Sequence, residues 1–189
     1  MHKILVSTSL IAGLALSGCA QVPLTYQPTM QNLETIKAAN VAPTSLGVFA
    51  VAPDKAPAID QSVSARSATV VSPINGSFAQ YLKDALMQEL RAAGKYDPAS
   101  PVVISGLLTR NMLDAPMTTG SGALAARFTV TRSGTRVYEK ELEEKAEWPS
   151  SFIGAEAIPR AINEYASLYK KLIGRLFGDA EFKAAVQAK

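Results

Sequence analysis

Over residues 122–132 apolar and polar side chains alternate, with Leu124, Ala126, Phe128 and Val130 set against Arg127, Thr129 and Thr131. A period of two marks a strand with one buried face. Ser133-Gly134 supplies a tight turn, so residues 135–148 are predicted to return antiparallel. On that strand Tyr138, Leu142, Ala146 and Trp148 share one face, and Glu139, Glu141, Glu143 and Lys145 share the other. Residues 101–113, with Val102-Val103-Ile104 and Leu107-Leu108, complete a three-strand meander. Earlier, the apolar run over residues 45–51 predicts a buried strand stopped by Pro53, and residues 68–72 predict a short one. Residues 52–66, rich in proline and aspartate, read as a long loop, and residues 115–121 read as a flexible connection around Pro116 and Gly120.

Two stretches carry the helical period instead. Phe78, Leu82, Ala85, Leu86 and Leu90 line one side of a helix over residues 77–93, with Asn75 or Ser77 to cap its start and Gly94 to end it. Ile162, Tyr165, Leu168, Tyr169, Leu172, Ile173 and Leu176 line a second over residues 158–177, with Pro159 in its first turn. Gly178 ends that helix, and Asp179 opens a short last one through about residue 187. Strands followed by helices in this order predict an α+β two-layer sandwich: a mostly antiparallel sheet with two amphipathic helices packed on one face.

The start of the chain has a different pattern. Lys3 gives a positive head, Ile4 to Leu16 are largely apolar, and small residues precede Cys19. That is the layout of a secretory signal, too short for a spanning helix of roughly 20 residues. Residues 1–18 are therefore expected to be removed as a signal peptide, residues 19–44 to form a flexible tether, and residues 45–189 to fold as one domain. A tether of that length would reach roughly 25–30 Å if it behaved as a flexible coil.

Composition narrows the chemistry. His2 and Cys19 are the only residues of their kinds, so nothing after Cys19 can build a serine–histidine or cysteine–histidine nucleophile, a Cys/His zinc site or a disulfide. The net charge of +3 is small and evenly spread, which argues against nucleic acid. Ser167-Leu168-Tyr169-Lys170 matches a Ser-x-x-Lys nucleophile motif without its companion elements, and reads as the polar edge of a helix. Gly120-Ser121-Gly122-Ala123-Leu124-Ala125 matches a dinucleotide fingerprint but opens a strand, and reads as a mobile connection. Glu139, Glu141, Glu143 and Glu144 are interleaved with Lys140 and Lys145, the pattern of a solvated face. Trp148 with Pro149, Phe152 and Ile153, next to the connection over residues 115–121, and Arg132 with Arg136 beside the Ser133-Gly134 turn, are the candidate contacts for a partner or ligand. For Trp148 the plainer role is closing a small core.

Leu16-Ser17-Gly18-Cys19 resembles the lipobox of bacterial lipoproteins. The resemblance implies that Cys19 is lipidated on sulfur, becomes the new N-terminus and is N-acylated. Ala20, standing where an aspartate would favour the inner membrane, implies the outer membrane. The whole layout, including Tyr81-Leu82-Lys83-Asp84-Ala85-Leu86 running to Ala93-Gly94, resembles YajG-type lipoproteins and the auxiliary lipoproteins of lipid-handling ABC transport systems. These resemblances imply a non-enzymatic accessory at the periplasmic face, held to the membrane through Cys19, with an envelope protein as partner and no cofactor. A carrier for a lipid or other apolar envelope ligand is the second reading, and it requires a cavity between helices and sheet.

Overall fold

Strand-forming residues at a period of two build the larger of two sheets. The structure, a computed structural model, describes residues 21–188. The strands are β1 (Gln21–Pro23), β2 (Ser45–Val51), β3 (Ser62–Ala65), β4 (Ala68–Val71), β5 (Val102–Asp114), β6 (Thr119–Arg132) and β7 (Thr135–Pro149). The helices are α1 (Met30–Ala38), α2 (Phe78–Ala92), α3 (Gly154–Gly178) and α4 (Ala180–Val186). The main sheet runs β2-β5-β6-β7, parallel at its first pairing and antiparallel at the other two. The helices lie on one side of it, as the sequence predicts for an α+β two-layer sandwich.

Between sheet and helices the core is continuous. Leu124, Ala126, Phe128 and Val130 of β6 are fully buried, as are Leu82, Leu86 and Leu90 of α2 and Leu168, Leu172 and Leu176 of α3. Ser77 caps α2 by accepting from the Gln80 amide, and Gly94 takes the left-handed conformation just beyond its end (φ +67°). Ser133 and Gly134 both have positive φ, as a two-residue hairpin turn of the primed type needs. Asp179 caps α4 through the Phe182 amide.

Four expectations are corrected. The flexible tether expected over residues 19–44 is, from residue 21 onward, an arm stitched to the body. Strand β1 pairs in parallel with β4, and Leu24, Tyr26, Ile36 and Val41 are buried. Helix α1 is capped by Thr29 and packs on α3 and α2. The physical reason is a polar hub: Glu89 of α2, wholly buried, accepts through Oε1 from Tyr26 Oη (2.7 Å), Asn32 Nδ2 (2.9 Å) and the Thr29 amide (3.1 Å). Cys19, with the signal before it, lies outside the described residues. The loop expected over residues 52–66 contains a 3-10 turn (Pro57–Asp60) and β3, which forms a hairpin with β4. The connection expected over residues 115–121 is already strand from Thr119. Helix α3 begins at Gly154, so Pro159 sits inside it instead of in its first turn.

Candidate functional site

The residues expected to contact a partner divide between the two ends of the meander. Arg132 and Arg136 flank the β6–β7 turn. Arg132 donates to the carbonyls of Ala185 (3.1 Å) and Gln187 (3.0 Å) and so fastens the C-terminal segment. Arg136 pairs with Glu139 at 2.6 Å, both exposed. Trp148 and Phe152 lie at the other end. Strand β6 has 14 residues, so at about 3.3 Å per residue roughly 40 Å separates the two. Trp148 is buried (3% exposed), while Phe152 is 76% exposed.

Trp148 closes the core there, and the Gly-Ser-Gly stretch is its seat. Gly120 is its cross-strand neighbour. A Cβ on Gly120 would stand 2.3 Å from the indole Nε1, and one on Gly122 would stand 3.1 Å from Leu168. These glycines lie within a strand, where the lack of a side chain lets the ring and α3 approach the backbone. The mobile connection expected of them is replaced by close packing.

The same end is organised by a residue that no pattern in the sequence singles out. Arg66, in the β3–β4 turn with φ +56°, lays its guanidinium between two loops. Its Nε donates to the Ala115 carbonyl (2.9 Å), and its Nη2 to the Pro116 carbonyl (3.1 Å), Ser150 Oγ (3.3 Å) and the Ser151 carbonyl. Its Nη1 donates to the Phe152 carbonyl (3.2 Å). The planar fork suits several fixed acceptors at once. The Ser150 amide adds a bond to the Thr118 carbonyl (2.9 Å). Residues 115–118 and 150–153 are thus clasped into one tip. From it Met117 (61% exposed), Phe152 (76%) and Ile153 (56%) project into solvent.

The remaining motifs resolve into local structure. Ser167 donates to the Glu164 carbonyl of its own helix at 2.6 Å, and its bonding is spent there instead of on Lys170. Glu139, Glu141 and Glu143 pair with Arg136, Arg127 and Arg110, and Glu144 reaches Arg175. Lys140 is held by Asp179 (2.8 Å) and Glu181 (3.1 Å). Those two hydrogen-bonded carboxylates raise the Lys140 pKa. Among the described residues there is no group of three or more His, Cys, Asp or Glu side chains placed to hold a metal ion, and no helix is long and apolar enough to cross a membrane. The space between the layers is filled by Phe78, Tyr81, Phe128, Tyr165 and Tyr169. Burial lifts the hydroxyl pKa of both Tyr165 and Tyr169, and Tyr165 is bonded to Asn111 (2.5 Å) and Tyr169 (3.1 Å). Two surface depressions flank the arm. One, about 330 Å³, includes Asn32, Glu144 and Arg175; the other, about 530 Å³, includes Leu24, Ile162 and Lys170.

A helix-backed meander, a parallel β2–β5 pairing and a long C-terminal helix on the sheet together define the architecture. This fold resembles that of protein XCC0632 from Xanthomonas campestris. The two superpose with a TM-score of 0.57 at 14% identity, over 87% of this chain and 96% of that one, so the likeness is of fold alone. The crystallised protein is described by the family DUF330. Looser overlaps occur with a Caulobacter crescentus protein described provisionally as a lipoprotein and with a minor lipoprotein from Acinetobacter baumannii. The first has a TM-score of 0.43 at 11% identity, over 58% of this chain and 83% of that one. The second has a TM-score of 0.37 at 12% identity, over 77% and 91%. Neither overlap bears on function. No protein-family model matches the chain, and no curated protein matches it by sequence.

Proposed function

We propose that the chain is a non-enzymatic bacterial lipoprotein, cut before Cys19, acylated there, and held at the periplasmic face of the outer membrane. Its body serves as an accessory in an envelope transport or assembly complex. The observation that carries this reading is Leu16-Ser17-Gly18-Cys19 after a positive head and an apolar run, with the chain's one thiol at the position the lipobox requires. One acyl chain anchors a protein only marginally, and several on one cysteine hold it durably. Two further facts support the accessory role. No histidine or thiol follows Cys19, and the acidic row that would be the readiest acid–base set is spent on surface ion pairs. The carrier reading lacks a comparable observation, because aromatic side chains occupy the interlayer space it would need.

The test is Cys19→Ser in cells fed labelled palmitate. The native chain is expected to take up label and fractionate with outer membranes, and the variant to remain an unlabelled precursor. A variant that still fractionates as a mature membrane form would overturn the reading. Crosslinking in intact cells then identifies the partner, and repeated failure to capture any envelope protein counts against the accessory role.

A further inference from the structure

Resting on the acylation of Cys19 proposed above, we infer that Met117, Phe152 and Ile153 are a bilayer-contacting tip. They seat in the boundary between headgroups and acyl chains of the same leaflet that the anchor enters. Strand β1 runs parallel to β4 with Gln21 beside Thr69, so the chain enters the fold at the β3–β4 turn that carries Arg66. Arg66 is bonded to the Phe152 carbonyl and to the loop that holds Met117. The point of entry and the exposed apolar side chains are therefore at one end of the molecule. Only Ala20 stands between Cys19 and Gln21. Two residue steps span at most roughly 7 Å. The headgroup region of one leaflet is about 5–8 Å deep, the difference between a bilayer of about 40–45 Å and its core of about 30 Å. A connection that short brings this end of the body against the membrane surface.

The tip is suited to that contact. Loop backbone is normally kept out of an apolar medium by its unsatisfied carbonyls. Here the carbonyls of Ala115, Pro116, Ser151 and Phe152 are turned to the Arg66 guanidinium. The loops thus present side chains outward with much of their backbone already bonded. The opposite end, around Ser133-Gly134, presents Thr135, the Arg136–Glu139 pair and one apolar side chain, the half-exposed Val137.

The experiment uses the full acylated protein in phosphatidylethanolamine–phosphatidylglycerol vesicles, nitroxide-labelled in turn at Phe152→Cys, Met117→Cys and Thr135→Cys. All three positions are exposed, so the fold tolerates the label. Acylation occupies the Cys19 sulfur and leaves the new thiol unique. At 152 and 117 the label is expected to collide more with dissolved oxygen than with a water-soluble nickel chelate, and at 135 the ratio is expected to reverse. A water-like ratio at 152 and 117 in vesicle-bound protein overturns the tip while leaving the anchor intact. Low collision with both reagents there means that a protein covers the patch, and overturns it too. Protein that carries no acyl mass and does not float with vesicles overturns the anchor first, and the tip with it.

Discussion

The Arg66 clasp makes a prediction that separates local from global stability. Three of its five bonds are part-buried: those to the Ala115 carbonyl, Ser150 Oγ and the Ser151 carbonyl. The other two are exposed, and water replaces them at little cost. At about 1 kcal/mol net for each part-buried bond, less about 1.5–2 kcal/mol of arginine side-chain freedom regained, Arg66→Ala should lose roughly 1–1.5 kcal/mol. Arg66→Gly loses the same bonds but relieves the left-handed backbone (φ +56°), which costs a non-glycine residue about 1 kcal/mol or more, partly offset by the freer unfolded chain. The glycine variant should therefore unfold closer to the native urea midpoint than the alanine variant. Both should show faster amide exchange at Ser150, whose N–H is donated to the Thr118 carbonyl across the clasped loops. Arg66→Lys should behave more like alanine, because a point charge cannot serve the same set of acceptors. Urea unfolding followed by Trp148 emission, together with hydrogen exchange, measures both quantities. Native exchange at Ser150 in Arg66→Ala would refute the clasp.

Three further substitutions probe the rest of the molecule. Glu89→Ala leaves Tyr26 Oη and the Thr29 amide without their acceptor and Asn32 Nδ2 with the Lys170 carbonyl alone, so it should cost about 2–4 kcal/mol and open residues 21–44 to limited proteolysis. An uncut arm in that variant would show that the hub does not hold it. Gly120→Ala places a Cβ 2.3 Å from Trp148, so overpacking should cost about 1–3 kcal/mol and shift the emission of the only tryptophan to the red, and unchanged emission would contradict the packing. Burial, and then the Asp179 carboxylate, push the Tyr138 hydroxyl up to about 12, and among the described residues its oxygen has no hydrogen-bond partner. A raised folded pKa contributes stability that is full below the unfolded value near 10 and is lost as pH rises through about 12. Tyr138→Phe should thus flatten the alkaline decline between those values and be neutral, or stabilising by up to about 1 kcal/mol, at pH 7. An alkaline limb as steep as the native one would refute it.

What the sequence discloses depends on how far each residue's partner lies along the chain. Helices α2 and α3 and the meander are legible because their period repeats over many residues; the bounds of α2 are legible too, through Ser77 and Gly94, whereas the start of α3 has no side-chain cap to mark it. The faces of β7 are assigned correctly despite a register shift between Val130 and Thr131, since the irregularity sits next to the turn and leaves the rest of the strand in one phase. The arm is obscured in the sequence by the same logic. The two buried residues of α1 are Ile36 and Asn32, and a hydropathy pattern scores the second as surface. The bonds that bury Asn32 go to Glu89, 57 residues away, and to the Lys170 carbonyl, 138 residues away. Glu89 did carry a signal: it lies four residues after Ala85 and three after Leu86, on the apolar stripe of α2, where a carboxyl needs partners to be buried. Gly120 reads as part of a flexible connection because its use, making room for Trp148, appears only once β6 and β7 are paired.

Phe152 and Ile153 stand out in the sequence, but the clasp that fixes their loops does not, for a reason rooted in the kind of bond that builds it. Its pieces come from the β3–β4 turn, the loop after β5 and the segment before α3. Four of the five acceptors of Arg66 are backbone carbonyls, which every residue type possesses. Recognition through carbonyls imposes no side-chain identity on the accepting loops, so they carry no motif for it. The side chains of those loops are then free to meet some other demand. For Met117, Phe152 and Ile153 packing inside the fold uses less than half of each side chain, and the rest is exposed. Fixing a loop by its backbone while releasing large apolar side chains outward is the reverse of what a loop that only closes a core requires, and it directs attention to whatever surface those side chains meet.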